Sequence, residues 1–368
     1  MTSRMAGPEP GGEGERARRP AAIRPADAPR SGVAGRMIRL LLDDPQTHPR
    51  DIDWDVATGM VVRNGILLRV AAALKRRGWT IPARLAGLAE RARLRADRIF
   101  GLTSQIGQAC ERRGIPHAFL KVAEHYPDAG PNVGLLVAAS AVAPEQAILD
   151  HVPALPAPDL VRSRLTGSST YLVPAFDTTV IMHRGRLGRL GEHTGLADMV
   201  LRGRRHTRVG FFTASAPARE DQLLLQATRW TYGQNSLRLS DLYWTIATVR
   251  GAALRWSAVL AAAEATGLLA GLSCHLAYVE QIYREIAGGT LLPEDLRQRI
   301  EDRSWGPLEF RETGYRQSGR RISGPVYMPQ LRSRIAAGDW KAAGRLCLLP
   351  ILAFATRLRH LVRFRREE

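Results

Sequence analysis

A lysine, an asparagine and a histidine stand at the ends of three short apolar runs in the middle of this 368-residue chain. Lys121 ends the first run, Asn132 opens the second, and His183 follows the third. Gly134 faces the same side as Asn132, because positions i and i+2 of a strand project from one face. A lysine at a strand end can bind an anion such as phosphate, or it can be an ordinary surface cation. The sequence therefore predicts buried strands with a polar site between them.

The segment around Lys121 resembles the N-terminal core of a largely uncharacterised bacterial family of nucleotidyltransferases that share the polymerase-beta-like fold. In that family the first strand ends in a Leu-Lys-Gly turn, and the second reads Asp-Ile-Asp-Leu-Leu-Val. Here the corresponding segments read Leu120-Lys121-Val122 and Asn132-Val133-Gly134-Leu135-Leu136-Val137. The resemblance extends over about residues 50–295, through an Asp-Trp pair before the first helices and through the helical second half. It implies an α+β fold in which a small mixed β-sheet nucleotidyltransferase-like core has N-terminal helices and a C-terminal helical half.

The family role that the resemblance implies is transfer of a nucleotidyl group from an NTP, with Mg²⁺, to an unknown acceptor. Two aspartates at i and i+2 and a third acid on a neighbouring strand would hold the metal ions. Asn132, Gly134 and Ile181 stand at those positions, and Val122 replaces the glycine of the turn. An amide oxygen is a weak ligand and the other two side chains are none. The sequence thus predicts a site without carboxylates, with no catalytic residue and no metal ligand.

The protein is therefore expected to be a pseudoenzyme that acts by binding a nucleotide or a protein partner. The remnant nucleotide site would consist of Lys121, Asn132, Gly134 and His183. The first alternative is an active transferase that uses Mg²⁺ and NTP with relocated ligands, for which four acids near the predicted strands are candidates, namely Glu124, Asp128, Asp150 and Asp177.

A second alternative is a basic adaptor at an anionic membrane or a nucleic acid. The net charge is +18, but only three of the 53 basic residues are lysines, and the arginines are scattered, as a GC-rich genome would also produce. The densest internal cluster contains Arg202, Arg204, Arg205 and His206. Residues 348–366 predict a basic amphipathic helix, which could lie on a membrane or dock on the helical half.

Several other classes of protein are disfavoured by composition and motifs. The three cysteines are too far apart for a metal or disulfide framework, and a reducing cytoplasm is the expected compartment, with peripheral membrane association left open. We find neither a secretory signal nor an apolar run long enough to span a membrane. No dinucleotide fingerprint, P-loop or nucleophile elbow occurs.

Apolar periodicity divides the chain into four expected parts. Residues 1–35 are expected to be a disordered tail, and residues 36–215 the α/β core with its N-terminal helices. Within the core we expect a helix over residues 53–76, capped by Asp53 or Asp55, a helix over residues 83–113, and strands near residues 171–173 and 178–182. Residues 184–216 are hard to place, with a flexible loop expected at residues 185–191 and a solvated loop favoured over a phosphate contact for the basic cluster at residues 202–206. Residues 216–295 should form a helical domain, and residues 296–368 a loosely packed polar segment followed by the basic helix.

Overall fold

The structure is a computed structural model that describes residues 28–157, 166–234, 236–251, 254–300, 307–317 and 324–350. Its first helix, α1 (Ala28–Leu41), begins inside the predicted tail. Val33 and Ala34 of this helix are buried in the core, so the tail boundary at residue 35 is wrong by several residues. The Pro- and Gly-rich composition of the tail concealed the short apolar face with which this helix packs. Residues 1–27 lie outside the described part of the chain.

Three further N-terminal helices follow: α2 (Trp54–Arg63), α3 (Leu67–Arg76) and α4 (Ala83–Arg112). Of the two aspartates expected as caps, Asp53 caps α2, because its carboxylate accepts hydrogen bonds from two backbone N–H groups. The single helix expected over residues 53–76 is instead broken at Asn64 and Gly65, where Gly65 has a φ of 65°. The buried Asn64 side chain explains the break, because it binds the backbone of Glu312 and Leu239 in distant segments.

The central sheet has five strands in the order β1-β2-β5-β4-β3. The strands are β1 (His117–Leu120), β2 (Asn132–Val137), β3 (Leu155–Pro156), β4 (Ser168–Val173) and β5 (Thr178–Arg184). β2 and β5 are parallel and the other pairs are antiparallel, which confirms the expected mixed sheet of an α+β protein. Two short helices, α5 (Val122–His125) and α6 (Gln146–Leu149), follow β1 and β2.

The sheet is covered on both faces because its side chains alternate between two apolar clusters. Phe119 and Leu135 pack with α4 on one face. Ala118 and Leu136, one residue away on the same strands, pack with the helical half on the other face. The ends of β1 and β2 therefore lie between the two parts of the fold.

Residues 184–216 could not be assigned from the sequence, and the solvated loop favoured for their basic cluster, residues 202–206, is wrong. They contain helix α7 (Thr194–Gly203) and a hairpin of β6 (Arg205–Val209) and β7 (Phe212–Ala216). Four apolar residues of α7 form a buried face that the surrounding arginines and glycines concealed, namely Leu196, Ala197, Val200 and Leu201.

The helical half begins, as predicted, near residue 216. It contains α8 (Arg219–Ala227), a π-helix (Thr228–Gln234), α9 (Leu239–Gly251), α10 (Trp256–Ala265), α11 (Leu269–Ala287) and α12 (Glu294–Ile300). β8 (Ser236–Leu237), between the π-helix and α9, forms a small sheet with β9 (Leu308–Arg311) and β10 (Gly314–Gln317). The described chain ends with α13 (Gly324–Ala336) and a helix over residues 340–350.

The described parts of the segment 296–330, which are residues 296–300, 307–317 and 324–330, are better packed than their polar composition indicated. Leu308, Phe310 and Tyr315 are buried in one cluster with α1, α2 and α3, so the N-terminal helices share a core with the C-terminal hairpin. Most of the predicted basic amphipathic helix, residues 351–366, lies outside the described residues. None of the helices described has both the length and the apolar character that crossing a membrane requires.

Candidate functional site

A cavity of about 90 Å³ lies where the ends of β1 and β2 meet the helical half. Two of the four predicted site residues, Lys121 and Asn132, line it. The other ionisable residues of its lining lie in α5, in the loop after α5, in the π-helix, just before α9 and in the first turn of α9. In that order they are His125, Asp128, Arg229, Arg238 and Asp241. The cavity is therefore assembled from residues more than a hundred positions apart.

Lys121 is placed at the cavity by an unusual backbone turn between β1 and α5. Its φ is 72° and its ψ is −7°, which is the left-handed region that disfavours residues with a Cβ by about 1–2 kcal/mol. Buried Val122 follows this lysine, at the position where the sequence resemblance expects a glycine, and packs with the core. The charge of Arg229, together with burial, lowers the pKa of Lys121 to about 8.

Arg229 is the centre of an ion-pair network at the wall of the cavity. Its guanidinium Nη2 lies 2.9 Å from Oε2 of Glu124 and 3.5 Å from Oδ1 of Asp241. Gln226, one turn earlier, also donates a hydrogen bond to Oε2 of Glu124 at 3.2 Å. Burial favours a lower pKa for Arg229, but the two carboxylates outweigh burial and raise it. Arg229 is thus a fixed, charged part of the wall.

Three groups beside Arg229 form a donor set of the type that binds divalent metal ions. One ligand atom each from Glu124, His125 and Asp241 lie within 4.8 Å of one another. Burial lowers the pKa of His125 to about 3, so its ring is neutral at pH 7, as metal ligation requires. However, the guanidinium of Arg229 already contacts both carboxylates, so a positive charge occupies the place where a metal ion would bind.

Asp128 also lines the cavity, but its carboxylate is engaged by the start of α3. Its two oxygens accept hydrogen bonds from the backbone N–H groups of Leu68, at 2.7 Å, and Arg69, at 3.3 Å. Burial raises the pKa of Asp128 to about 6. The Arg69 side chain donates in turn to the carbonyls of Glu124 and Tyr126, so this acid anchors α3 to the loop after α5.

Two of the positions at which the sequence resemblance expects metal ligands, Gly134 and Ile181, are filled by apolar contacts. Gly134 pairs with Leu120 on one side and with Ile181 on the other. A Cβ added at Gly134 would lie 3.2 Å from Cβ of Leu120, which is closer than ordinary van der Waals contact. An aspartate there would therefore displace the leucine that packs against the helical half.

The predicted residues thus separate into two groups. Lys121 and Asn132 meet at the cavity, whereas Gly134 and His183 are outside its lining. His183 pairs with Leu136 within the sheet, and burial, with a smaller effect of Lys121, lowers its pKa to about 4.

The expectation that no carboxylate reaches this site is wrong, since Asp128 and Asp241 line the cavity. Of the other acids considered as relocated ligands, Asp150 pairs with Arg113, and Asp177 occupies an exposed turn before β5. Sequence reasoning missed Asp241 and Arg229 because no spacing rule connects them with Lys121, although Asp241 was recognisable as an acid in the first turn of α9.

Comparisons of this chain with protein-family models, with curated proteins and with solved structures found no match. The chemistry of the cavity is therefore the basis on which a function is argued.

Proposed function

We propose that this protein binds the phosphate group of a nucleotide in the cavity beside Lys121 and does not transfer a nucleotidyl group. The observation that carries the proposal is a pair of cations, Lys121 and Arg238, that line the cavity. Among the described residues, neither side chain has a hydrogen bond or an ion pair. Two unpaired cations at one small cavity favour an anionic ligand.

The acids of the site do not cancel this charge. Glu124 and Asp241 are paired with Arg229, and Asp128 is held by the backbone of α3. The charge of Arg229 is the largest influence that lowers the pKa of Lys121. A bound phosphate would relieve this repulsion, so binding near pH 8 should be coupled to proton uptake by Lys121.

The size of the cavity limits what it can enclose. Small-molecule sites are typically about 300–1,000 Å³, and this cavity of about 90 Å³ is much smaller. It suits a single phosphate group, and the sugar and base of a nucleotide would extend outward from it. Asn132, at the first position of β2, can donate a hydrogen bond to a phosphate oxygen where the family aspartate would coordinate metal.

Loss of nucleotidyl transfer is supported by the filled metal-ligand positions. Two-metal chemistry needs convergent carboxylates, and Asn132, Gly134 and Ile181 supply none. Mg²⁺-dependent incorporation of labelled NTP by the purified protein would overturn this part of the proposal.

Calorimetric titration with inorganic phosphate and with ATP tests the binding part. We expect Lys121→Asn to weaken both ligands about tenfold or more, because charge-assisted hydrogen bonds are worth about 1.5–3 kcal/mol. Asparagine tolerates the left-handed backbone, so the variant should fold. Lys75→Asn, at an exposed lysine of α3, is the matched control and should bind as the wild type does. Equal affinities for the two variants would refute the assignment of Lys121.

A second candidate function is metal-dependent transfer through relocated ligands, which the cluster of Glu124, His125 and Asp241 favours. It requires Arg229 to leave the carboxylates when a metal binds. Titration of the wild type with Mn²⁺ and ATP, repeated on Asp241→Asn, distinguishes the two functions. A metal signal that needs Asp241 supports transfer, and its absence supports phosphate binding alone.

A further inference from the structure

A second and larger groove lies between helix α4 and the β6–β7 hairpin. Its volume is about 730 Å³, within the range of about 300–1,000 Å³ that is typical of ligand sites. Its walls are mainly polar, and their hydrogen-bonding side chains include Ser104, Gln108, Glu111, His117, His206 and Thr213. The Lys121 cavity and this groove have no lining residue in common, so they are separate sites.

The rim of the groove is basic and carries an exposed aromatic ring. Arg208 pairs with Thr213, and His206 pairs with Ser215, so Arg208 shares a hairpin face with these three residues of the groove lining. Arg204 is exposed just before the hairpin, and its charge acts on His117 in the wall of the groove. Phe211, at the hairpin turn, lines the groove and is 65% exposed. An exposed ring beside cations suits a ligand with both flat rings and negative charge.

The buried part of the groove accepts hydrogen bonds. His117 is 3% exposed, and burial lowers its pKa, which favours the neutral ring. Its Nδ1 lies 3.0 Å from the carbonyl oxygen of Ile115, so Nδ1 carries the proton and Nε2 is an acceptor. Nε2 has no hydrogen-bond partner in the described part of the chain. Glu111 adds a carboxylate to the same wall.

We propose that this groove binds single-stranded nucleic acid, with a base in the groove stacked on Phe211 and the neighbouring phosphates on Arg204 and Arg208. Acceptors at Glu111 and His117 favour a base with an exocyclic amino group, so cytosine should bind better than uracil. An anionic membrane would use the cations and Phe211 but not the polar walls of the groove.

Fluorescence anisotropy of the full chain with labelled oligo-C and oligo-U strands of about ten nucleotides tests the proposal. Two phosphate contacts predict that a plot of the logarithm of the affinity against the logarithm of the salt concentration has a slope of about −1.4, since each contact contributes about −0.7. Phe211→Ala should weaken binding by about fivefold to a hundredfold. Arg208→Gln should reduce the slope by about 0.7.

Two control variants remove an arginine and an aromatic ring that lie outside the groove. Arg91→Gln lies in α4, about 18 Å along the helix axis from the groove residue Thr103. Trp340→Ala removes another aromatic residue, 68% exposed. Both should bind oligo-C as the wild type does. The proposal is overturned by binding to anionic vesicles without binding to oligonucleotides, by oligo-U binding as tightly as oligo-C, or by groove and control variants behaving alike.

Discussion

Removing Arg229 tests the central electrostatic feature of the site. In Arg229→Ala, Glu124 loses a partner at 2.9 Å and Asp241 loses one at 3.5 Å. The Glu124 side chain is only 2% exposed, and it would keep one hydrogen bond, from Gln226. Breaking a buried pair costs about 3–5 kcal/mol. Because 25% of the Arg229 side chain is exposed, we expect a loss of unfolding free energy at the lower end, about 3 kcal/mol.

The loss should also depend on pH in a defined direction. Burial alone would raise the pKa of Asp241, but Arg229, followed by His125 and Lys121, outweighs burial and lowers it. In the wild type, Asp241 therefore stabilises the fold above its ordinary pKa, and this contribution is lost as the pH falls through the lowered value. In the variant the pKa of Asp241 should rise, so the deficit should be largest at neutral pH and should shrink below about pH 5.

Urea unfolding of the wild type and the variant at neutral pH and near pH 5 measures both effects. Arg238→Ala is the matched control, since Arg238 lines the same cavity and has no ion pair among the described residues. It should cost less than about 1 kcal/mol. Adding Glu124→Gln to Arg229→Ala should recover part of the loss, because no buried charge is then left unpaired at that position. Equal losses for the two arginine variants, or a deficit independent of pH, would refute the reasoning.

Three other outcomes are expected at this site. Phosphate affinity of the wild type should fall as the pH rises through about 8, because Lys121 loses its proton there; calorimetry over this range checks it, and a flat profile would exclude Lys121 as the binding cation. Gly134→Asp should destabilise the fold by about 1–3 kcal/mol, since the new Cβ would lie 3.2 Å from Cβ of Leu120. Adding Asn132→Asp to this variant should not create Mg²⁺ binding. Thermal unfolding with and without Mg²⁺ checks both statements. Zn²⁺ should raise the melting temperature of Arg229→Ala but not of the wild type, because only the variant leaves Glu124, His125 and Asp241 free for the metal. Equal shifts in the melting temperatures of the two proteins would contradict the role given to Arg229.

Local patterns predicted much of the fold. The long amphipathic helix α4, the cap at Asp53 and the strands β2 and β5 follow from periodicity and capping residues that act over a few positions. The mixed sheet and the helical second half were expected as well. The segments that local patterns did not place, α7 and the β9–β10 hairpin, have short apolar faces surrounded by arginine and glycine, so their burial depends on distant partners.

The residue types at the strand ends were sufficient to select Lys121 and Asn132. Only the tertiary structure brought Arg229 and Asp241 to the same cavity, more than a hundred residues from Lys121 along the chain. A charge acts on its neighbours through space, and no local spacing records which neighbours folding will supply. The sequence therefore determined which cation stands at the strand end, and the packing of the helical half decided which charges surround it.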